Sequence, residues 1–441
     1  MMERRKFIRS GFSGLLLPSL LSGLPVRVLA GSPFLSAMLN QEESDRVLVL
    51  VQLSGGNDGL NMVIPIEYYG AYQSARTNIA IPSNKILQLN GVEGTGLNPA
   101  MCELQNLFNE GKLNIIQGVS YPKPNFSHFR ATDIWLSAAD SDQILPTGWA
   151  GRYLDREYAR FPEDYPNRIM PDPLAIQVGS IISPAFQGPT LTMGMAISNT
   201  NNFYGLVNGA ITPVANSRAG EQIAYIREMS EKTDQYAGVI KKAAQNIKQQ
   251  SLRYPAAGKN ALADQLKIVA RLIAGGLQTK LYIVGMGGFD THAKQTDAAD
   301  PTIGNHAKLL SKLSEAIDAF MDDLQMLGVD ERVMGMTFSE FGRRIKSNAS
   351  GGTDHGAAAP MLVFGNRAKP GITGINPKLP TATTVNDNVD MQFDFRSVYA
   401  TMLKDWFLVD PKEVGQVLMH DYPSLPLIQT GEPVIKKISP S

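Results

Sequence analysis

The chain of 441 residues holds one cysteine, Cys102. An intramolecular disulfide and a cysteine-built zinc site are therefore excluded. Cys102 also lies outside the N-terminal segment, which argues against a lipid-anchored cysteine there. Excess charge of either sign is missing too: 41 basic and 41 acidic side chains give a formal net charge of zero. No basic field marks a nucleic-acid partner. No internal repeat or sustained heptad is present. After the N-terminal segment no stretch is apolar enough to span a membrane, which takes about 20 residues. No Gly-Lys-Ser/Thr follows the glycine-rich exit of the first strand, so a phosphate-binding lysine of the nucleotide-loop kind is absent.

What is present starts with Arg4-Arg5-Lys6-Phe7-Ile8, a twin-arginine pattern. An apolar run, Gly11 to Leu24, and the small-residue site Val28-Leu29-Ala30 follow. Residues 1–30 read as a twin-arginine signal peptide, to be set aside from the fold, with the mature chain starting near Gly31. The segment carries five basic residues against Glu3, a net of +4, which leaves about −4 on the remainder. The twin-arginine route exports proteins already folded, often with a cofactor loaded. The expected location is the periplasm or the extracellular space, with the twin-arginine export machinery as a partner and no membrane span after cleavage. Residues 31–441 exceed the usual domain. They read as one large α/β domain with an insertion around 140–275, two domains being the other arrangement the length allows.

Three apolar runs predict strands buried on both faces of a parallel sheet: Arg46 to Leu53, Thr279 to Gly285 and Val333 to Phe338. Each leads into a polar exit, where open α/β sheets place their chemistry. The first gives Ser54-Gly-Gly-Asn-Asp58, with Asp58 either a site residue or a helix cap. The second gives Asp290-Thr-His292, whose i, i+2 spacing in extended chain points both side chains the same way. Carboxylate plus imidazole suits zinc or another divalent transition ion. The third places Glu340 just past the strand. A Gly/Ser-rich loop then carries Asp354 and His355 before another apolar strand near Pro360. Helices are predicted over Asn98–Glu110, Ser217–Gln250, Asn260–Ala274, Ile303–Leu327 and Asp394–Phe407, with a strand over Lys112–Val119. Ser127 starts a further helix, followed at once by His128 and then Arg130. Free N–H groups at such a start favour a bound anion. Ser127 reads equally as nucleophile and as cap. His306 reads as structural.

Together these motifs carry a resemblance. Leu-Ser-Gly-Gly-Asn-Asp-Gly-Leu-Asn, Ser-His-Phe-Arg-x-x-Asp-Ile-Trp, Gly-Gly-Phe-Asp-Thr-His, Ser-Glu-Phe-Gly-Arg-Arg and Gly-Gly-Thr-Asp-His-Gly, with the N-terminal Arg-Arg-Lys-Phe-Ile, resemble the exported bacterial family known as domain of unknown function 1501. That family is similar in fold to the alkaline phosphatase and sulfatase superfamily. The resemblance implies a mainly parallel central sheet with helices on both faces, alkaline-phosphatase-like. It also implies a hydrolase of phosphate or related esters, small-molecule or polymeric, with one or two divalent ions. Asp58 would match the early Asp, Ser127 the nucleophile, Asp290 and His292 the Asp/His pair, and His355 the late His. Asp354-His355 matches the later Asp-His pair by letters, whereas Glu340 matches by its place after a strand; the strand-based register is preferred. The metal set expected is Asp58, Asp290, His292, Glu340, Asp354 and His355, with Ser127, His128 and Arg130 as the catalytic set. Arg130 would steady the anionic group. No Cys-x-Pro-x-Arg run occurs, which excludes a formylglycine sulfatase. The alternative is an exported binding or assembly protein that keeps the fold without catalysis.

Overall fold

Strand β1 (Val47–Leu53) shows why the sheet forms where it does. Val47, Val49, Val51 and Leu53 enter one hydrophobic core, while Leu48 and Leu50 enter a second on the opposite face. The run is apolar from Val47 to Val51, Gln52 alone breaking it, because both faces are covered. Each such side chain contributes roughly 1.5–3 kcal/mol on burial. The computed structural model describes residues 45–198 and 235–429. The signal segment 1–30 and residues 217–234 of one expected helix lie outside them; residues 235–246 are helical.

After β1, strands β2 (Val63–Pro65), β3 (Leu87–Leu89) and β4 (Val92–Leu97) make a small separate sheet. Helix α1 (Cys102–Asn109) leads into β5 (Leu113–Ser120). Helix α2 (His128–Ser137) follows, then α3 (Trp149–Glu157), β6 (Ala175–Val178) and β7 (Met195–Ile197). Beyond the undescribed stretch come α4 (Ala261–Ala274), β8 (Leu281–Met286), α5 (Asn305–Met326) and β9 (Val333–Phe338). The chain continues through β10 (Gly342–Ser347), β11 (Thr353–Gly356), β12 (Ala359–Phe364), β13 (Gly371–Thr373), β14 (Phe393–Asp394) and α6 (Phe395–Thr401).

The main sheet runs β13-β5-β12-β9-β1-β8-β6-β7, with β14 alongside β5. From β9 to β7 every pairing is parallel, and β12 runs antiparallel to both its neighbours. The fold class is thus α/β with a mixed, mostly parallel sheet. Helices α1, α4 and α5 supply the core on one face; α2, α3 and α6 supply it on the other. Strands β6 and β7, within the expected insertion, extend the sheet beyond β8. Among the described residues no helix is long and apolar enough to cross a membrane.

One sequence expectation fails here. Asp354 and His355 do not sit on a glycine-rich loop. They lie on β11, which pairs antiparallel with β10 and sets His355 opposite Arg343. The glycines serve a tight hairpin instead. A Cβ on Gly352 would lie 2.4 Å from the His292 carbonyl carbon, so the hairpin tip packs backbone to backbone against the β8 exit.

Candidate functional site

The parallel strands β8, β1 and β9 are neighbours and end along one edge of the sheet. Their exits touch there. Gly55, at φ +123°, lets the β1 exit press on the β8 exit, since a Cβ would stand 2.3 Å from the Asp290 nitrogen. Its N–H donates to Glu340 Oε1 at 2.8 Å, tying in the β9 exit. The Trp135 indole on α2 donates to the Glu340 carbonyl at 2.9 Å and docks that helix on the same point. Its first residue, His128, thereby reaches the site. The β10–β11 hairpin closes it with Arg343, Asp354 and His355.

The side chains converge on Asp290. His128 Nδ1 meets Glu340 Oε1 at 2.8 Å, and its Nε2 lies 3.5 Å from Asp290 Oδ2. Asp290 Oδ1 accepts from Arg343 Nη2 at 2.7 Å, and the Nε2 atoms of His292 and His355 each lie 3.2 Å from it. His355 Nδ1 donates to the Phe126 carbonyl at 2.8 Å, which leaves the Nε2 lone pair facing inward. His292 Nδ1 contacts Asp354 Oδ1 at 3.1 Å, and its Nε2 lies 2.9 Å from His355 Nε2. The buried Phe341 ring lies against His128 and His355, with centroids 4.9 and 4.4 Å away.

Charge shapes this cluster. Burial raises the Asp290 carboxyl, but the hydrogen bond from Arg343 and the nearby positive charge outweigh it and bring it down to about 2. Burial pushes the His355 imidazole down, against the Phe126 and Asp290 bonds that favour its charged form. It stays neutral and able to donate an electron pair at pH 7. Burial raises Asp354, yet Asn348 and His292 hold it below the usual range.

The donor set fits one cation. Ligand atoms of His128, Asp290 and His355 lie within 4.8 Å of one another, a spacing that donors about 2 Å from a shared ion can adopt. With His292 Nδ1 donating to Asp354, a neutral His292 turns its Nε2 lone pair toward those of His355 Nε2 and Asp290 Oδ1. Converging lone pairs call for a positive centre between them. Three carboxylates (Asp290, Glu340, Asp354) against one guanidinium (Arg343) leave a formal −2, which one divalent ion balances.

Asp290, His292, Glu340, Asp354, His355 and His128 are thus brought together. Asp58 is not among them. It is fully buried, its Oδ2 bound by Arg76 at 2.5 Å and by Gln295 at 2.5 Å. Arg130 does not face the cluster either: it pairs with Asp133 and donates to the carbonyls of Asp140, Ser141 and Gln143, holding the chain after α2. The arginine at the site is Arg343, which sequence reasoning left without a role although it stands in the Ser-Glu-Phe-Gly-Arg-Arg motif. Ser127 is exposed, caps α2 by position but not through its side chain, and lies between Phe126 and His128, both in contact with the cluster. His306 is buried and bonded to Asn57 Oδ1 at 2.9 Å. A separate cleft of about 340 Å³ lies beside α2, walled by Asp133, Ser137, Pro146, Ile182 and Gln187, with no residue of the cluster in its lining.

Residues 212–421 match the family described as protein of unknown function (DUF1501), a segment that contains Asp290, His292, Glu340, Arg343, Asp354 and His355 and leaves out Asp58, Ser127 and His128. No curated protein matches the chain. Similar solved structures include a protein in the alkaline phosphatase superfamily from Vibrio parahaemolyticus, at 11% identity and TM-score 0.37, covering 86% of this chain and 70% of that one. The zinc complex of the C-terminal periplasmic domain of EcEptC from Escherichia coli is similar at 11% identity and TM-score 0.34, covering 73% and 72%. The PsFucS1 sulfatase from Pseudoalteromonas sp. is similar at 12% identity and TM-score 0.34, covering 91% and 74%. Likeness at this level assigns no role to any residue.

Proposed function

We propose that the protein is an exported, metal-dependent hydrolase of phosphate or related esters. The observation that carries the reading is the convergence of His128, Asp290, His292 and His355 on one point, in a cluster with two formal negative charges to balance. Asp290, His128 and His355 would hold the ion, His292 completing the set. A bound divalent ion would polarise the ester and lower the pKa of a nearby hydroxyl or water. The chain's own groups do the rest. Ser127 offers a hydroxyl that makes no cap bond, at a helix start whose first N–H groups can receive anionic oxygens. Its oxygen bonds to phosphorus as the bond to the alcohol oxygen breaks, and the alcohol leaves with a proton. Water then frees the phosphate from the serine. Arg343 holds Asp290 in place from beneath. Export by the twin-arginine route rests on Arg4 and Arg5; lysine at both positions should strand the precursor in the cytoplasm, and normal export of that variant would count against it.

The test is metal content and turnover of protein purified from its own compartment. The expected result is bound divalent metal and cleavage of an aryl phosphate or phosphodiester. His292→Ala should lose both, and Ser127→Ala should lose turnover while keeping metal, because a nucleophile need not hold the ion. An active Ser127→Ala would move the nucleophile to a water. A second reading has its own support: the two arginines Arg76 and Arg343 already bind Asp58 and Asp290, which suits an exported binding or assembly protein of the same fold. Metal-loaded wild type that cleaves no phosphate or sulfate ester would leave that reading standing.

A further inference from the structure

Beneath the cluster lies a polar layer that the proposed chemistry does not use. Gln295 is its centre and is fully buried. Its side-chain N–H donates to Asp58 Oδ2, while its Oε1 accepts from Thr291 Oγ1 at 3.1 Å and Thr353 Oγ1 at 2.8 Å. Thr291 stands between Asp290 and His292; Thr353 directly precedes Asp354 and His355. The Gln295 main chain repeats the tie, its N–H donating to the Gly351 carbonyl and its carbonyl accepting from His306 N–H. Below it, Arg76 is also buried and fixes Asp58 at 2.5 Å, with its other donors on Asn61 and on the Ile345 and Arg344 carbonyls.

We infer that Gln295, anchored by the Asp58–Arg76 pair, is the positioning residue that sets the spacing between the Asp290/His292 segment and the Asp354/His355 strand. An amide presents an N–H donor pair and a carbonyl acceptor side by side at one end. Here the donor must face Asp58, since a carboxylate only accepts, and the acceptor serves two hydroxyls from two different segments. Burial drives the Asp58 carboxyl up, but Arg76, by charge and hydrogen bond, holds it below the usual range, so the anchor stays an acceptor. Asn348 makes a parallel strut nearer the surface, its side-chain N–H groups reaching the His292 carbonyl at 2.9 Å and Asp354 Oδ1 at 3.1 Å. The inner strut is buried: Gln295, Thr291 and Thr353 are all sealed from solvent.

This inference rests on the metal reading above, and the experiment separates the two. Co²⁺ is titrated into metal-free full-length protein, reading affinity by competition and ligand geometry by visible absorption. Wild type should bind one Co²⁺ with a defined spectrum. Gln295→Met, similar in volume but without the amide, should bind it about ten- to a hundredfold more weakly and with an altered spectrum, as expected when a group supporting the ligands is lost. Thr353→Val, isosteric and missing one strut, should show a smaller shift in the same direction. It also serves if Gln295→Met does not fold. A role confined to stability would lower the unfolding midpoint and leave affinity and spectrum alone. Unchanged affinity and spectrum in the variants that fold would overturn the inference and spare the metal reading. Wild type that binds no Co²⁺ would overturn both.

Discussion

Two aspartates follow neighbouring parallel strands, and each meets a buried arginine. Asp58 comes after β1 and pairs with Arg76 at 2.5 Å; Asp290 comes after β8 and pairs with Arg343 at 2.7 Å. Both carboxyls are held below their usual range, against the desolvation that burial imposes. Their surroundings then diverge. Asp58 and Arg76 are both sealed from solvent, and Asp58 Oδ1 has no partner among the described residues. The Asp290 side chain is 48% exposed and shares its two oxygens among three histidines and Arg343. An ion reaching Asp290 finds imidazoles and a half-open approach. An ion reaching Asp58 would have to displace a guanidinium from a sealed interior. The same sequence device, an acid after a core strand, thus serves as scaffold in one place and as ligand candidate in the other. Burial by neighbouring segments makes the difference.

The sharpest way to break this comparison is to remove each carboxylate and measure unfolding by denaturant at pH 7. Asp58→Ala leaves Arg76 buried without its counter-charge and Gln295 without its anchor. Losing one partner of a buried pair costs about 3–5 kcal/mol, the largest single effect expected here. A loss under about 1 kcal/mol would mean that Asp58 is not the keystone of the buried layer.

How much of this was legible depended on range. The strands β1, β8 and β9 were readable because a continuous apolar run needs no partner to be recognised; Val333 to Phe338 matches its expected bounds. Asp290, His292 and Glu340 were readable as rare polar types at strand exits, and His355 by its Asp-His-Gly motif, though on an expected loop. The β10–β11 hairpin was not. Asn348 to Gly352 has the composition of a loop, Thr-Asp-His-Gly is not an apolar strand, and pairing His355 with Arg343 is a tertiary fact. The burial of Asp58 was hidden for the same reason, since Arg76 lies 18 residues on with no local sign of its destination. Arg130 did carry a warning: Asp133 stands three residues later on the same helix, where such pairs form. Gln295 carried none, because a glutamine three residues past His292 looks like any loop residue.

A smaller effect sharpens the contrast between the buried layer and the open one. His306 belongs to the buried layer, beside Asn57. Burial lowers its imidazole to about 4, with Arg76 and Arg343 adding to that and the Asp58 charge opposing it. The folded value lies below the unfolded one of about 6.5. Its stabilising contribution is therefore complete above pH 6.5 and is lost as pH falls through about 4. At 1.36 kcal/mol per unit this amounts to about 3 kcal/mol. Asp290 follows the same sign in a lower window, complete above 3.8 and lost as pH falls through about 2. Comparing denaturant midpoints at pH 7 and pH 4 for wild type and His306→Gln isolates the imidazole. The variant should show a flatter dependence between those values. Equal slopes would place the acid sensitivity elsewhere.

The smallest effect on stability belongs to Asp290→Asn, and it is the one that tests the open half of the comparison. Arg343 is buried, yet it does not depend on Asp290 alone. It also donates to the carbonyls of Gly55, Gly56, Phe289 and Thr353. An asparagine keeps a carbonyl oxygen for Arg343 to meet. The exposed half of the carboxylate was hydrated before any contact formed, so the histidine contacts gain little in water. Stability should change by no more than about 1 kcal/mol, as for surface ion pairs. Metal binding should behave otherwise. The variant trades an anion for a neutral amide at the point where the imidazoles converge, so affinity for a divalent ion should fall at least a hundredfold. Denaturant unfolding of the metal-free protein and competition titration of the loaded one give the two numbers. If Asp290→Asn instead destabilised the chain as much as Asp58→Ala, the two aspartates would share one scaffolding role, and the division between sealed and open carboxylates would fall.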